Sequence, residues 1–159
     1  DNTLPLEPTN INLLCLHEME MLKKQHQKPN IEYKVEGNQK KDLVYTDPTH
    51  LNLIIAHLLN NANKFTEQGS IILAYQPDES GKMMCISVTD TGCGIPADKS
   101  EWVFERFTKN DDFIPGSGLG LYLCRLVAQR LNGTIILDTS YTDGARFILK
   151  LPINPYKTV

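Results

Sequence analysis

The sequence predicts an α+β fold, a two-layer sandwich in which helices cover a mixed, mainly antiparallel sheet. Three observations carry this. Residues 48–65 and 119–131 repeat apolar side chains at helical spacing. Two pairs of alternating apolar segments flank short turn sequences and read as hairpins. Helices and strands otherwise follow one another without the regular strand–helix–strand alternation of a parallel sheet.

Taken in order, Pro5 and Pro8 mark an extended lead-in over residues 1–8. Thr9 is placed to cap a helix reaching about His26, with Ile11, Leu14, Cys15 and Leu22 on one face. Ile31 to Val35 and Leu43 to Thr46 read as short strands joined through Gly37-Asn38. Asp47-Pro48 supplies a capping side chain and then proline at the first helical position. The helix that follows carries Leu51, Ile54, Ile55, Leu58, Leu59, Ala62 and Phe65 on its apolar face. Gly69 to Tyr75 and Lys82 to Thr89 flank Asp78-Glu79-Ser80-Gly81 as a hairpin. Thr91 to Ser117 is rich in Gly, Pro, Lys and Asp, with one short helical piece around Glu101 to Phe107. A stretch so long inside a compact domain is usually functional or disordered. Leu119 to Leu131 forms the next helix, with Leu119, Tyr122, Leu123, Leu126, Val127 and Leu131 on one face, and Asn132-Gly133 stops it. Thr134 to Thr139 and Ala145 to Leu151 make a last hairpin around Thr142-Asp143-Gly144.

A chain of 159 residues with 41% hydrophobic and 22% charged residues suits one domain with a real core. A net charge of −3 gives no electrostatic footprint for nucleic acid. No apolar run approaches the roughly 18 residues that a membrane span needs, and no secretory signal is present. The opening Asp1-Asn2-Thr3-Leu4-Pro5 reads as a cut inside a longer protein. The cysteines at 15, 85, 93 and 124 form no C-x-x-C pair, so reduced, mostly buried thiols are expected rather than a zinc site.

Four segments hold candidate chemistry. Asp90-Thr91-Gly92-Cys93-Gly94-Ile95-Pro96 places a carboxylate at a strand end, with two glycines that let backbone approach a ligand. On the Pro48 to Phe65 helix, His57, Asn61 and Lys64 fall within roughly 60° of one another beside the apolar face. An amide oxygen can ligate magnesium, a lysine can meet phosphate and an imidazole can take a proton, although a solvated helix face would show the same residue types. Gly116-Ser117-Gly118-Leu119-Gly120-Leu121 opens the later helix with free backbone N–H groups, as either a phosphate cradle or a hinge. Its spacing is neither the dinucleotide fingerprint nor a P-loop. Phe104-Glu105-Arg106-Phe107-Thr108-Lys109 combines anchoring aromatics with the cations Arg106 and Lys109; a surface amphipathic helix fits it equally. His17-Glu18 is set aside as an exposed helix position, Asn132-Gly133-Thr134 as a helix stop, and Cys93 as a small side chain at a pocket edge.

In combination and in this order, these segments resemble the N, G1, F and G2 boxes of the catalytic, ATP-binding domain of sensor histidine kinases. That domain belongs to the wider gyrase, heat-shock chaperone, histidine kinase and mismatch-repair ATPase superfamily and carries its Bergerat-type fold. The resemblance runs from about Thr9 to Pro152. It implies an ATP pocket between sheet and helices under a mobile lid, with Mg2+ bridging the phosphates. Asp90 would accept a hydrogen bond from the adenine amino group, Gly92 and Gly94 would let backbone and ordered water meet the ring, Ile95 would be among its apolar walls, and Phe65 would belong to the nucleotide site. Asn61 would ligate magnesium, and Lys64 and Lys109 would contact phosphate. Gly116, Gly118, Leu119 and Gly120 would form the phosphate loop.

The chain departs from the pattern at His57, where histidine kinases commonly carry asparagine. A structural place beside the magnesium ligand and a general base, as in related ATPases, both remain open for it. His17-Glu18-Met19-Glu20 lacks the continuation of a phosphoacceptor histidine. The resemblance therefore implies the ATP-binding half of a two-part catalyst. Residues 1–8 would lead in from an upstream dimerisation hairpin that bears the histidine. Residues 9–153 would be the catalytic domain, and 154–159 a tail. The expected partners are that hairpin and a response-regulator receiver domain, with no nucleic acid and a monomeric fragment. The expected location is cytoplasmic, and an inner-membrane anchor in the full protein stays open. A stand-alone ATPase or an anti-sigma-type serine kinase is the alternative reading.

Overall fold

The computed structural model describes residues 4–106 and 120–156. A short strand, β1 (Glu7–Asn10), leads directly into helix α1 (Ile11–His26). Strands β2 (Ile31–Gly37) and β3 (Leu43–Thr46) precede helix α2 (Pro48–Phe65). Then come β4 (Gly69–Pro77), β5 (Met83–Asp90), two 3₁₀ turns at Ala97–Lys99 and Trp102–Phe104, helix α3 (Gly120–Arg130), β6 (Thr134–Leu137) and β7 (Arg146–Pro152).

The main sheet has five strands in the order β2-β4-β5-β7-β6, and β1 and β3 form a separate antiparallel pair. Only β2 and β4 run parallel; the other pairings are antiparallel, including the β4–β5 and β6–β7 hairpins expected from the turns. The connection from β2 to β4 passes through β3 and α2, which brings α2 across β4 and β5. Inward residues alternate along each strand: Ile71, Leu73 and Tyr75 on β4, Met84, Ile86 and Val88 on β5, Phe147, Leu149 and Leu151 on β7. They meet Ile54, Ile55, Leu58 and Leu59 of α2 in one core. Each such side chain, fully buried, contributes about 1.5–3 kcal/mol. The α+β sandwich is as the sequence predicts.

Helix α2 has the predicted bounds. Asp47 accepts from Thr49 N at 3.2 Å as its cap, with Pro48 in the first turn. Helix α1 differs at its start: its cap is Asn10, whose side chain accepts from Leu13 N at 3.0 Å. Thr9 lies instead within β1, and its hydroxyl donates to Glu7 O. Strand pairing with β3 keeps Thr9 extended, so the helix begins one residue later than predicted. On α3 the predicted apolar face is rotated. Leu123 and Leu126 stay 42% and 38% exposed, whereas Leu121, Cys124, Ala128 and Leu131 are buried. Cys124 and Ala128 share this face with Leu121 and Leu131, and their small side chains let the helix lie close against α2 and β6. Asn132, at φ 63°, stops α3 in the left-handed region, and Gly133 N donates to Ala128 O at 2.8 Å.

All four cysteines are free thiols, but only Cys15 and Cys124 are buried; Cys85 is half-buried and Cys93 exposed. Burial pushes the Cys15 thiol up to about 12. Glu18 also departs from the exposed position expected for it, with a side chain 11% exposed and a carboxyl raised by desolvation. Among the described residues, no helix is long and apolar enough to cross a membrane.

Candidate functional site

Strand β5 ends in a polar residue on an apolar row. The alternation that turns Met84, Ile86 and Val88 toward the helices does the same for Asp90, the last residue of the strand. Asp90 is only 5% exposed, and its surroundings are built to hold it. Both hydrogen bonds to its carboxylate fall on Oδ1, from Gly92 N at 2.9 Å and Ala145 N at 3.0 Å. Its backbone is fixed as well: its carbonyl accepts from the Tyr141 hydroxyl at 2.8 Å, and its N–H donates to Ala145 O at 2.9 Å. Desolvation raises its carboxyl above the usual range, and the bonds from Gly92 and Ala145 oppose that rise. The carboxylate is thus oriented by backbone donors on one oxygen, and among the described residues no hydrogen bond falls on the other.

Across from it lies the last turn of α2. Asn61, on the flank of the apolar stripe, is 5% exposed, and its Oδ1 is buried with no hydrogen-bond partner among the described residues. An orphaned acceptor at such burial is costly, and a ligand donor or a cation would satisfy it. Asn61 and Asp90 line one cavity of about 270 Å3 with Phe65, Cys93, Gly94, Ile95, Val103, Leu121, Ala145 and Phe147. The walls are apolar and the polar groups few, which is the ordinary make-up of a small-molecule site.

The segment after β5 is pressed against the end of α2. Cys93 N donates to Phe65 O at 3.4 Å. A Cβ on Gly92 would stand 2.3 Å from that same carbonyl oxygen. Gly92 does not line the cavity; its missing side chain is used in packing on Phe65. Gly94, at φ 73°, does line it. On the far side, a Cβ on Gly144 would come within 2.0 Å of Asp90 O. Phe104 is buried edge-on against Phe147, with ring centroids 5.9 Å apart, and Arg125 stacks on its other side at 3.9 Å. It anchors its segment as the sequence suggests. Arg106 is exposed, with its guanidinium 5.4 Å from the Tyr122 ring.

Of the predicted site residues, Asn61, Phe65, Asp90, Gly94 and Ile95 meet in the cavity. His57 is half-buried one turn before Asn61 and does not line it. Lys64 is exposed, with its ammonium 5.5 Å from the Phe65 ring. Gly120 is buried at the start of α3. Phe107, Lys109, Gly116, Gly118 and Leu119 lie outside the described residues. Sequence reading missed Tyr141, Gly144, Ala145 and Phe147, which reach Asp90 or its cavity from the β6–β7 hairpin. The turn at Thr142-Asp143-Gly144 is visible in the sequence, but nothing local ties it to Asp90 more than fifty positions earlier. Among the described residues, no cluster of three or more His, Cys, Asp or Glu side chains could hold a metal by itself.

Residues 46–155 match the family of histidine kinase-, DNA gyrase B- and HSP90-like ATPases. The adaptive-response sensory kinase SasA of Nostoc sp. is 33% identical over 153 residues, covering 94% of this chain and 38% of SasA. The sensor histidine kinase RcsC of Escherichia coli is 36% identical over 111 residues, covering 67% of this chain and 12% of RcsC. The chain therefore spans well under half the length of these relatives. Among solved structures, the nucleotide-free catalytic domain of histidine kinase ThkA superposes with a TM-score of 0.83 at 26% identity, covering 96% of this chain and 100% of that domain. Full-length ShkA in complex with AMPPNP gives 0.81 at 27% identity over 94% of this chain and 31% of ShkA.

Proposed function

Because the chain belongs to the histidine kinase-, DNA gyrase B- and HSP90-like ATPase family, we propose that it is the ATP-binding catalytic domain of a sensor histidine kinase. The observation that carries this reading is one cavity lined by both a carboxylate held by backbone donors and a buried amide oxygen without a partner among the described residues. The free side of Asp90 suits the amino group of adenine, a donor that an ionised carboxylate accepts well. Phe65, Ile95 and Phe147 supply apolar faces for the ring. Gly94 lines the same cavity with bare backbone.

Asn61 Oδ1 fits magnesium: it is a neutral hard oxygen, buried and without a partner among the described residues. Among the described residues no acidic cluster accompanies it, so phosphate oxygens and water would complete the ligand set. When bound, the ion would neutralise charge developing on the transferring phosphoryl group. Lys64 at the α2 terminus and Lys109 are assigned to the phosphates, and Gly116, Gly118, Leu119 and Gly120 to the loop around them. His57, one turn before Asn61 and outside the cavity lining, is assigned a place beside the magnesium ligand rather than at the reacting atoms.

The chemistry of this domain is positioning more than covalent work. It holds ATP so that an imidazole nitrogen on a separate dimerisation hairpin attacks the γ-phosphorus in line. The N–P bond forms as the P–O bond to ADP breaks. A response-regulator receiver would then take the phosphoryl group; a related kinase, ThkA, has been solved in complex with its response regulator. The test is calorimetric titration of the 159-residue chain with Mg-ATP, followed by a phosphotransfer assay. The chain binds Mg-ATP and transfers phosphate poorly until a histidine-bearing hairpin is supplied. Strong autophosphorylation by the chain alone, or no binding, would contradict the reading.

A further inference from the structure

The end of α2 is held by a ring of hydrogen bonds on the side away from the cavity. Asn61 and Asn63 lie roughly 200° apart around the helix, so they serve opposite sides. Asn63 is 5% exposed and fully engaged: its Oδ1 accepts from the Tyr33 hydroxyl at 2.6 Å and its Nδ2 donates to His26 O at 3.0 Å. The Tyr33 hydroxyl in turn accepts from Lys28 N at 2.9 Å. The Lys28 ammonium closes the ring by donating to Asn63 O at 2.6 Å and Thr66 O at 2.9 Å. The nearby Glu67 carboxylate, 3.5 Å from the ammonium and 87% exposed, adds little.

These contacts satisfy groups that a helix leaves unpaired. The last carbonyls of α2 point beyond the helix with the negative end of its dipole, and a lysine ammonium suits both. Phe65 O is the neighbouring acceptor, and Cys93 N takes it. The same terminal turn thus joins two sets of bonds. One set ties it to the end of α1 and to β2; the other carries the Gly92-Cys93-Gly94 segment that follows Asp90. At Gly92 an added Cβ would clash with Phe65 O, so the backbone there lies directly against the turn. A shift of this turn displaces Asn61 and Phe65 together with the cavity wall at Cys93 and Gly94.

We infer that Lys28, Tyr33 and Asn63 are positioning residues for the nucleotide site, acting through the terminal turn of α2. This rests on the reading of the cavity as an ATP site. None of the three lines the cavity, so an effect on affinity would have to pass through the backbone.

The test is titration of Mg-ATP into the 159-residue chain and its variants, well below their melting temperatures. Tyr33→Phe keeps the ring and removes both hydroxyl bonds; Lys28→Met keeps the stem and removes the cation. Each weakens Mg-ATP binding about five- to tenfold, the equivalent of losing one or two modest hydrogen bonds. Lys28→Arg, which can still donate to two carbonyls, recovers most of the affinity. Should Lys28→Met fail to fold, Tyr33→Phe decides. Folded variants that melt earlier but bind Mg-ATP with an unchanged Kd would overturn the inference and leave the ATP site standing. A wild-type chain that does not bind Mg-ATP would overturn both.

Discussion

Asp90 and Asn61 are equally buried, each 5% exposed, but the chain treats them differently. Asp90 is held from both sides: Gly92 N and Ala145 N bind one carboxylate oxygen, and Tyr141 and Ala145 fix its backbone. Asn61 Oδ1 has no partner among the described residues. In the proposed ATP site the base-reading group, Asp90, is thus already held by the protein. The proposed magnesium ligand, Asn61, keeps an unmet acceptor whose cost a ligand can relieve. Preorganisation at the first favours selectivity, because the acceptor need not be ordered on binding. An unmet acceptor at the second makes affinity depend on what accompanies the ligand.

The largest break in this comparison should come from Asp90→Asn. An amide oxygen can still accept from Gly92 N and Ala145 N, so the fold survives with little change in melting temperature. Its NH2 group then faces the adenine amino group donor to donor. ATP affinity should fall about ten- to a hundredfold, the usual range for losing a hydrogen bond to a charged group, as read by calorimetry. Gly144→Ala attacks the support rather than the acceptor. The added Cβ would meet Asp90 O and Oδ1 at 2.0 and 2.8 Å, so the chain should lose about 1–3 kcal/mol of stability in denaturant titration.

Asn61→Ala should separate the two groups. Removing an unpartnered buried acceptor costs the free chain about 1 kcal/mol or less, because no protein hydrogen bond is lost. ATP affinity measured with a chelator should hold, while the gain on adding magnesium disappears. The smallest expected effect is on pH. Burial raises the Asp90 carboxyl, so the fold favours its protonated form. That contribution to stability is present below the ordinary carboxylate value and is lost as pH rises through the raised one. Binding runs the other way: adenine needs the ionised acceptor, so affinity should fall as pH drops through the raised value. The Asp90→Asn variant should lack that component of the profile.

The elements most legible in the sequence are those with their own punctuation. Asp47-Pro48 gives the start of α2 because a cap and a proline act locally. The carboxylate of Asp90 and the amide of Asn61 are legible as a candidate pair through their flanking motifs. The buried face of α3 was not, because leucines draw attention to Leu123 and Leu126 while the tighter packing belongs to Cys124 and Ala128. The motif marks Gly92 as a place of close backbone approach, but does not show that an added Cβ there would meet the carbonyl of Phe65. The Lys28–Tyr33–Asn63 ring is invisible at the sequence level, since it joins backbone and side-chain groups up to 38 positions apart. Pairings of that kind follow from the fold and leave no periodic trace.

The central claim is that Asp90 reads the amino group of adenine. Competition between ATP and its 6-oxo analogue, inosine triphosphate, tests it most directly, because the two differ at that ring position in donating or accepting a hydrogen bond. The wild-type chain should prefer ATP by about tenfold or more, and Asp90→Asn should erase or reverse the preference. A preference for ATP that survives unchanged in Asp90→Asn would contradict the account.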